Sequence, residues 1–496
     1  MAEAIKKENF FMRLGKGIKN FFVGIGRGVK NFFLRIGKGC ANFHERFVDG
    51  SVGTKISHFI MGAGNFSHKQ IIKGILFLAI QILFVLFMVL CPVVNNTPLG
   101  YKALINLTTL GVKGEGGFDQ FGRPIEVGNS MLMLLFGVVT LGIIALYVGL
   151  WLSNIASAYQ ADNDDRFGAG ATSFKRDLAE MLDSKFHVTM LSPTILGVLI
   201  FTILPTLYMI LIAFTSYGGE AATGQAVFDW VGFDNFKDMF TNPDGEIASR
   251  FGSVLLWTVI WAFFATVTNY FGGIVLAILI NRKGVKGKVI FRTVFIMTIA
   301  IPQFISLLAM RNLLSVNGPV NGMLQNLGLI DSPINFLGHD PNVSVNEWFV
   351  KFMIILVNMW IGVPYTMLMT SGILMNIPTD LYEAAKVDGA KPLTIFFKIT
   401  FPYIFFITTP YLISSFIGNV TSFNIIFMLT GGGPSVAGYR AGKTDLLVTW
   451  LYKLTIENND YNTGAIIGIL TFLCTSVITL VTYRRSKSYK EEDTFQ

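Results

Sequence analysis

The chain has 496 residues, of which 52% are hydrophobic and only 14% are charged. Soluble globular domains carry about 25% charged residues, so this composition excludes the common soluble folds. Eight stretches contain no Asp, Glu, Lys or Arg, and each can supply the roughly 20 apolar residues of a membrane-spanning helix. Because lipid offers the backbone no hydrogen bonds, these stretches predict helices rather than open sheets. The sequence therefore predicts an all-α, polytopic membrane protein with eight transmembrane helices.

In chain order, the predicted spans are 71–94, 131–152, 190–213, 253–280, 289–310, 352–375, 403–429 and 464–483. Of the 39 Lys and Arg residues, 29 lie before the first span, in alternate loops or in the C-terminal tail. Since Lys and Arg concentrate on the cytoplasmic side of a membrane, both termini are predicted to be cytoplasmic. Acidic lipid headgroups are the expected counterion of the net charge of +8. Nucleic acid is not an expected partner of charges dispersed across a membrane.

The N-terminal segment 1–70 contains an aromatic repeat. Phe10, Phe21, Phe32 and Phe43 recur every eleven residues, with Lys or Arg at similar offsets between them. Eleven residues is close to three helical turns, so the aromatic and the basic side chains would form separate stripes. This pattern predicts an amphipathic helix on the anionic lipid headgroups of the cytoplasmic leaflet. A disordered basic tail that only enforces the topology explains the pattern equally well.

The charge-free stretches also indicate how the protein is driven. Ion-coupled carriers place carboxylates, His or Lys at membrane depth, and these stretches contain none of them. If the protein transports a solute, its energy is therefore expected to come from another subunit. Cys40, Cys91 and Cys474 lack the spacing of a disulfide framework or a zinc site, and the five histidines show no ligand spacing. No cofactor, metal site or catalytic residue is predicted.

The link between the sixth and seventh spans predicts a short cytoplasmic helix. Asp380 is expected to cap its N-terminus, with Glu383 three residues later, and Gly389 is expected to end it. Ala384 and Ala385 would give the helix a small apolar face that another surface could approach. On these residues alone, an ordinary helical turn between two spans is the simpler interpretation.

The same residues resemble a known motif. Glu383-Ala384-Ala385, then Gly389 after three residues and Ile399-Thr400-Phe401-Pro402 after nine more, is similar to the EAA loop of binding-protein-dependent ABC importer permeases. One position departs, since Phe401 stands where the family usually has Leu. The resemblance implies a type I ABC importer permease core, in which this loop is the coupling helix that docks on a cytoplasmic ATPase. The docking residues that it implies are Glu383, Ala384, Ala385, Asp388 and Gly389.

Within this family, the likeness narrows to the larger membrane subunit of maltose and maltodextrin importers, which also has eight spans. It covers roughly 190–485 and is carried by 358–365, 415–419, 429–434 and 444–448. It implies a second homologous permease, a cytoplasmic ATPase dimer and an extracytoplasmic sugar-binding protein as partners, in the plasma membrane of a bacterium. The link 214–252 lacks room for the large insert that some relatives carry between spans three and four.

The predicted organisation has four parts. They are the cytoplasmic basic and aromatic segment 1–70, two peripheral transmembrane helices with their loops in 71–189, a six-helix permease core in 190–485 that contains the coupling loop 376–402, and the cytoplasmic tail 486–496.

Polar and aromatic residues on the sixth and seventh spans indicate a substrate pocket. Asn358, Gly362 and Tyr365 lie at i, i+4 and i+7 of the sixth span, so one helix face presents an amide, a gap and a phenol. Ser415, Asn419 and Ser422 have the same spacing on the seventh span and would share one face of its helix. Such groups suit the hydroxyls and the apolar ring faces of a sugar, although interhelical packing is the simpler interpretation from the residues alone. By resemblance to the family's sugar site, the expected substrate-binding residues are Asn358, Gly362, Tyr365, Ser415, Gly418, Asn419, Ser422 and Gln303. Of these, Gly418, Ser422 and Gln303 depart from the family's usual residue types.

These observations lead to the hypothesis of a permease subunit, and not an enzyme, that forms half of a translocation path for maltose or maltodextrin. A permease of the same family for a different oligosaccharide or another sugar is the alternative. An ion-coupled secondary carrier would need an ionisable group at membrane depth. A non-transporting scaffold would not need polar residues clustered on neighbouring spans.

Overall fold

The computed structural model describes residues 30–31, 34, 37–39, 41–111, 129–168, 172–218, 227–242, 245–282, 284–340 and 343–485. The chain divides into two compact units, Met1–Gly232 (unit 1) and Phe233–Gln496 (unit 2). The predictions for Phe10, Phe21 and Phe32 of the repeat and for the tail 486–496 lie outside the described residues. The predicted start of a permease core at residue 190 stays a prediction.

The elements of unit 1 are almost all helical. They are α1 (Val52–Ile56), α2 (Ala63–Ser67), α3 (Ile71–Leu90), β1 (Val93–Val94), β2 (Thr97–Pro98), α4 (Tyr101–Thr108), α5 (Ser130–Arg166), α6 (Phe174–Leu182) and α7 (Phe186–Ile212). The two strands pair antiparallel as a small hairpin. Helix α5 begins where the Asn129 side chain accepts a hydrogen bond from Leu132 N (3.1 Å), which satisfies one of the free N–H groups of its first turn.

The elements of unit 2 form a second helical bundle. They are α8 (Asp234–Thr241), α9 (Glu246–Asn281), α10 (Lys288–Ala300), α11 (Gln303–Leu313), α12 (Pro319–Asn326), α13 (Glu347–Asn376), α14 (Thr379–Val387), α15 (Pro392–Val420), α16 (Phe423–Leu429), α17 (Leu447–Tyr452) and α18 (Tyr461–Arg485).

Helices α9, α13 and α15 form the centre of unit 2. One buried apolar cluster surrounds Trp257 and Trp261 of α9 and Ile354 of α13. Another joins Tyr270 of α9 to Ile404 of α15, where the Tyr270 hydroxyl lies 2.8 Å from Thr408 Oγ1. Lipid supplies no hydrogen-bond partner, so this hydroxyl pair stabilises the contact between α9 and α15.

Seven described helices are long and apolar enough to cross a membrane, and one bent helix pair brings the number to eight. They are α3, α5, α7, α9, α13, α15 and α18, with α10 and α11 as the bent pair. This agrees with the predicted all-α, polytopic class.

Two predicted spans are not continuous helices. The fifth, 289–310, breaks at Ile301-Pro302, where α10 and α11 meet at 95°. A residue before proline is pushed out of the helical region by the proline ring, and Ile301 is extended, with φ −78° and ψ 125°. The seventh, 403–429, ends at Val420, and a break at Thr421 and Ser422 separates it from α16.

Candidate functional site

The first part of the predicted pocket lies in the packing between α13 and α9. Asn358 is buried, with 3% of its surface exposed. A Cβ at Gly362, one turn later, would overlap the side-chain amide of Asn269. Glycine is therefore needed here because the Asn269 amide occupies the space where a larger side chain would lie.

The side-chain amides of Asn358 and Asn269 do not make all the hydrogen bonds that they could. Among the described residues, neither Asn358 Nδ2 nor Asn269 Oδ1 has a hydrogen-bond partner, and both atoms are buried. A buried polar atom without a partner is unfavourable, so the α9–α13 interface holds hydrogen-bonding capacity that a water or a substrate hydroxyl could use. Asn269 was not among the predicted residues. The sequence does not reveal Asn269 as a pocket residue, because its contact with Gly362 joins two residues far apart in the chain.

Asn419 joins α15 to α9. Its Nδ2 donates to Thr266 Oγ1 at 2.9 Å, and its backbone oxygen accepts from Trp261 Nε1 at 3.1 Å. Ser415 lies one turn earlier on α15 and is half-buried. The geometry gives Asn419 a packing role, and a role in binding would come in addition to it.

Three of the predicted residues are exposed on unit 2. Tyr365 has 53% of its surface exposed, and its ring centroid lies 6.0 Å from that of Tyr411. Gly418 is exposed, and a Cβ there would meet nothing within 4 Å. Gln303 is the first residue of α11, directly after the bend, and it is exposed. These residues are accessible to a substrate or to another subunit.

Ser422 does not lie on the same helix as Ser415 and Asn419, which corrects the predicted spacing. It is the N-cap residue of α16, in the break after α15, and its backbone N–H donates to Asn419 O (3.2 Å). The i, i+4, i+7 pattern fails because the helix ends at Val420 before the third position is reached.

An apolar groove of about 440 Å³ lies between α10, α11 and α13. None of the predicted binding residues lines it. The residues that line it are Phe295, Met310, Leu314, Met353, Leu356, Val357, Met359, Trp360, Val363 and Pro364. Such a lining offers almost no hydrogen bonds to the hydroxyls of a sugar.

The predicted coupling helix is present as α14, and it is largely exposed. Glu383, Ala384 and Asp388 are exposed, and Ala385 is half-buried. Val387, at its C-terminal end, has 88% of its surface exposed. Most of the side chains of α14 are therefore accessible from outside the chain.

The ends of α14 differ in how well the sequence predicts them. Gly389 follows the helix with φ +72°, a conformation that glycine adopts without strain, so the predicted end is correct. The predicted cap is wrong: Pro378 is the N-cap residue, without a side-chain hydrogen bond, and Asp380 lies inside the first turn. Tyr382 was missed, and its hydroxyl lies 3.1 Å from Thr400 Oγ1 at the start of α15.

The glycine-rich segment 430–446 folds around a buried carboxylate. Asp445 is 1% exposed and accepts hydrogen bonds from Gly442 N (2.7 Å), Thr449 Oγ1 (2.8 Å) and Lys453 Nζ (2.6 Å). Charged and hydrogen-bonded partners together offset the cost of burying the charge. Asp445 and Lys453 were not predicted, since no local motif signals their pairing.

His339 attaches a neighbouring loop to the same region. Its Nε2 lies 2.7 Å from Leu429 O, at the end of α16. Burial lowers the pKa of His339 below its ordinary value, the hydrogen bond to Leu429 opposes this, and Arg311 adds to the lowering. The ring therefore favours its neutral form in the folded protein. The described part of the chain contains no group of three or more His, Cys, Asp or Glu that could hold a metal ion.

Comparison with known proteins identifies relatives along nearly the whole chain. A family model described as "Binding-protein-dependent transport system inner membrane component" matches residues 269–487. A galactooligosaccharide transport system permease protein, GanP, of Bacillus subtilis is 32% identical over 87% of this chain and 97% of its own length. A maltodextrin transport system permease protein, MalC, of Streptococcus pneumoniae is 32% identical over 88% of this chain and 95% of its own length.

A solved structure has the same fold. It is a chain of a bacterial ABC transporter involved in the import of the acidic polysaccharide alginate. The likeness has a TM-score of 0.51 at 23% identity, and covers 63% of this chain and 98% of the other. At this identity the comparison concerns the fold alone.

Proposed function

This chain belongs to the family of binding-protein-dependent transport system inner membrane components, and on that premise we propose that it imports maltose, maltodextrins or a related oligosaccharide. As a member of this family it is a multi-pass membrane protein of a bacterium and a transport subunit rather than an enzyme. The observation that carries the substrate class is the full-length likeness to two oligosaccharide permeases.

The partners that we propose are a second homologous permease, a cytoplasmic ATPase dimer and an extracytoplasmic sugar-binding protein. The exposed positions Tyr365, Gly418 and Gln303 support a translocation path that this chain lines on one side only, with the second permease opposite. ATP hydrolysis takes place on the ATPase. The closure of the ATPase dimer is transmitted through α14 to the helices of unit 2.

Helix α14 is proposed as the part that docks on the ATPase. Its exposed Glu383 and Asp388 offer charge, and Ala384 and Ala385 allow another backbone to approach closely. Tyr382 connects α14 to α15 through Thr400, so a pull on α14 reaches α15 directly. The proposal therefore includes a cytoplasmic location for α14 and for both termini, which the distribution of Lys and Arg supports.

The sugar path is proposed to pass the exposed face of α13 and α15. Tyr365 and its neighbour Tyr411 offer aromatic faces to the apolar side of a sugar ring. The half-buried hydroxyl of Ser415 lies on the same face and can bind a sugar hydroxyl. The buried amide of Asn358 would bind one only in a conformation of the transport cycle that opens the α9–α13 packing. An anionic lipid contact of segment 1–70 is a further part of the proposal, based on its basic residues.

The first test is co-purification followed by transport. We expect the chain, gently solubilised, to retain an ATPase and a second permease, and the reconstituted complex to import labelled maltodextrin only with ATP and the binding protein. A chain that purifies alone and still carries sugar would contradict the proposal. Because one relative is a galactooligosaccharide permease, the competition panel must contain maltose, maltodextrins and galactooligosaccharides.

The second test addresses the path. Tyr365→Ala should reduce uptake roughly tenfold, which corresponds to about 1.4 kcal/mol, while assembly and ATPase content stay normal. Phe352→Ala is the matched control, since Phe352 is also an exposed aromatic on α13. For Asn419→Ala the melting temperature must be measured as well, because Asn419 also donates a hydrogen bond to Thr266. The melting temperature separates a loss of substrate binding from a loss of stability. Unchanged uptake in both the Tyr365 and Asn419 variants would exclude this path.

A further inference from the structure

The segment 51–67 of unit 1, before the first long helix, has polar side chains inside and apolar side chains outside. Thr54, Ser57 and Asn65 are fully buried. The apolar side chains that it exposes are Val52, Ile56, Phe59, Ile60 and Phe66. Two of them, Val52 and Phe59, have 74% and 73% of their surface exposed. A water-facing surface has the opposite arrangement.

The buried polar groups of this segment pair with α5 and with each other; the Ser57 hydroxyl, for example, accepts a hydrogen bond from Gly64 N (2.6 Å) within the segment. Asn154 accepts from Gly62 N (2.8 Å) and donates to Ser57 O (3.0 Å). The Thr54 hydroxyl donates to Ala158 O at 3.4 Å. Helices α1 and α2 therefore form a hairpin whose inner polar groups pair with α5 or within the hairpin, and its apolar side chains lie on the outside.

The tip of the hairpin reaches far along α3. Gln81 accepts a hydrogen bond from Met61 N (2.7 Å) and donates one to Phe59 O (2.8 Å). Gln81 lies ten residues after Ile71, the first residue of the 20-residue α3. At 1.5 Å per residue, this is about 15 Å along the helix, near the middle of a hydrocarbon layer about 30 Å thick.

The base of the hairpin carries the charges. His68 Nδ1 lies 2.5 Å from Asp165 Oδ2, Ser51 N donates to Asp162 at 2.7 Å, and Lys73 pairs with Asp177 at 2.7 Å. Between the base residues Ser51 and His68 the segment contains two titratable side chains: Lys55, which is half-buried on α1, and His58, which is buried. Polarity therefore falls from the base to the tip, as it does from the membrane surface to the hydrocarbon.

We propose that α1, the turn 57–62 and α2 form a re-entrant hairpin that dips into the bilayer leaflet beside the N-terminal half of α3. Lipid acyl chains cover its exposed apolar face. Non-helical backbone is tolerated at membrane depth only where protein satisfies its hydrogen bonds. The Gln81 amide does this for Phe59 O and Met61 N at the tip of the turn, and Asn154 does it for Ser57 O and Gly62 N. This also explains why a polar residue occurs in the middle of the first span.

Spin-label accessibility tests this depth in the full-length chain in lipid nanodiscs. Cys40, Cys91 and Cys474 are replaced by Ser or Ala, and single cysteines are labelled at Phe59, Ile60, Leu83 and Lys175. Leu83 is an exposed position in the middle of α3, and Lys175 is an exposed position on α6. We expect the labels at Phe59 and Ile60 to collide with oxygen and not with nickel-EDDA, as at Leu83.

Two results would overturn the proposal. Collision with nickel-EDDA as frequent as at Lys175 would place the tip in water, and protection from both reagents would place it under another protein chain. The variant Gln81→Leu supplies a second measurement in the Phe59-labelled protein. We expect nickel-EDDA accessibility at Phe59 to rise several-fold, because the turn loses its partner in hydrocarbon, while Ile82→Met, a substitution at an exposed position, leaves it unchanged. If nickel-EDDA accessibility at Phe59 is unchanged in Gln81→Leu, the turn does not need Gln81 as a partner, and this result counts against the proposal.

Discussion

Two connections in unit 2 are built in opposite ways. The segment 430–446, between α16 and α17, buries Asp445 and surrounds it with donors from Gly442, Thr449 and Lys453. Helix α14, between α13 and α15, leaves its charged side chains exposed, and Val387 is 88% exposed. The first connection satisfies its polar groups within the chain, whereas the second presents groups that suit a partner. The difference separates residues that stabilise the fold from residues that are available for docking.

The largest effect is expected at the buried carboxylate. Asp445→Ala leaves Lys453 without its partner, and breaking such a pair costs about 3–5 kcal/mol of unfolding free energy. The melting temperature of the purified protein should fall strongly, whereas Glu457→Ala, at an exposed carboxylate in the π-helical turn after α17, should change it little. Equal melting temperatures for the two variants would remove the stabilising role assigned to segment 430–446.

A smaller effect, on transport rather than stability, is expected at α14. Glu383→Ala should lower ATP-driven uptake roughly tenfold, or about 1.4 kcal/mol of coupling, because the docking charge is lost. Its melting temperature should stay that of the unmodified chain, since surface substitutions cost within about 0.5 kcal/mol. Asp380→Ala, an exposed carboxylate of the same helix, is the matched control. If both variants transport equally well, Glu383 has no special part in docking.

Gly389→Ala tests the end of the same helix. A residue with a side chain at φ +72° costs about 1 kcal/mol, and the strain lies outside the packed core. We therefore expect a slight loss in melting temperature together with weaker binding of the ATPase, measured by co-purification. The substitution Gly418→Ala, where a Cβ meets open space in a helix, should not weaken ATPase binding. A Gly389 variant that binds the ATPase normally would show that the exit direction from α14 is not critical.

The smallest effect concerns pH. Because the pKa of His339 is lowered in the folded state, the unfolded chain binds more protons, and the unfolding free energy decreases as pH falls below the ordinary value of about 6.5. Melting temperatures of the unmodified chain should decline between pH 7 and pH 5 more than those of His339→Gln, which keeps a donor for Leu429. His187→Gln, at an exposed histidine, should retain the full decline. If the melting temperature depends on pH in the same way for the unmodified chain and both variants, His339 does not cause the loss of stability at low pH.

The sequence predicted those features that depend on residues close together in the chain. Charge-free stretches gave the long helices, and Gly389 marked the end of α14. Ser422 was placed on the wrong helix, since nothing in its neighbourhood reveals that α15 ends at Val420. The contact of Gly362 with Asn269 and the pairing of Asp445 with Lys453 depend on folding, and periodicity carries no information about such partners. The segment 51–67 lies within the predicted cytoplasmic segment 1–70, and its hydrogen bonds to Gln81 of α3 and Asn154 of α5 likewise depend on folding.

The hydrogen bonds of Asn154 also set an order of events during synthesis. Gly62 N and Ser57 O form hydrogen bonds with Asn154, which is synthesised 92 and 97 residues later. Chains grow at about 5–20 residues per second, so the segment spends roughly 5–20 seconds without the side chain that satisfies it. Until α5 has been made, the hydrogen bonds of Gly62 N and Ser57 O have to be supplied by water or by another group, so this segment reaches its final structure only after the second long helix is present.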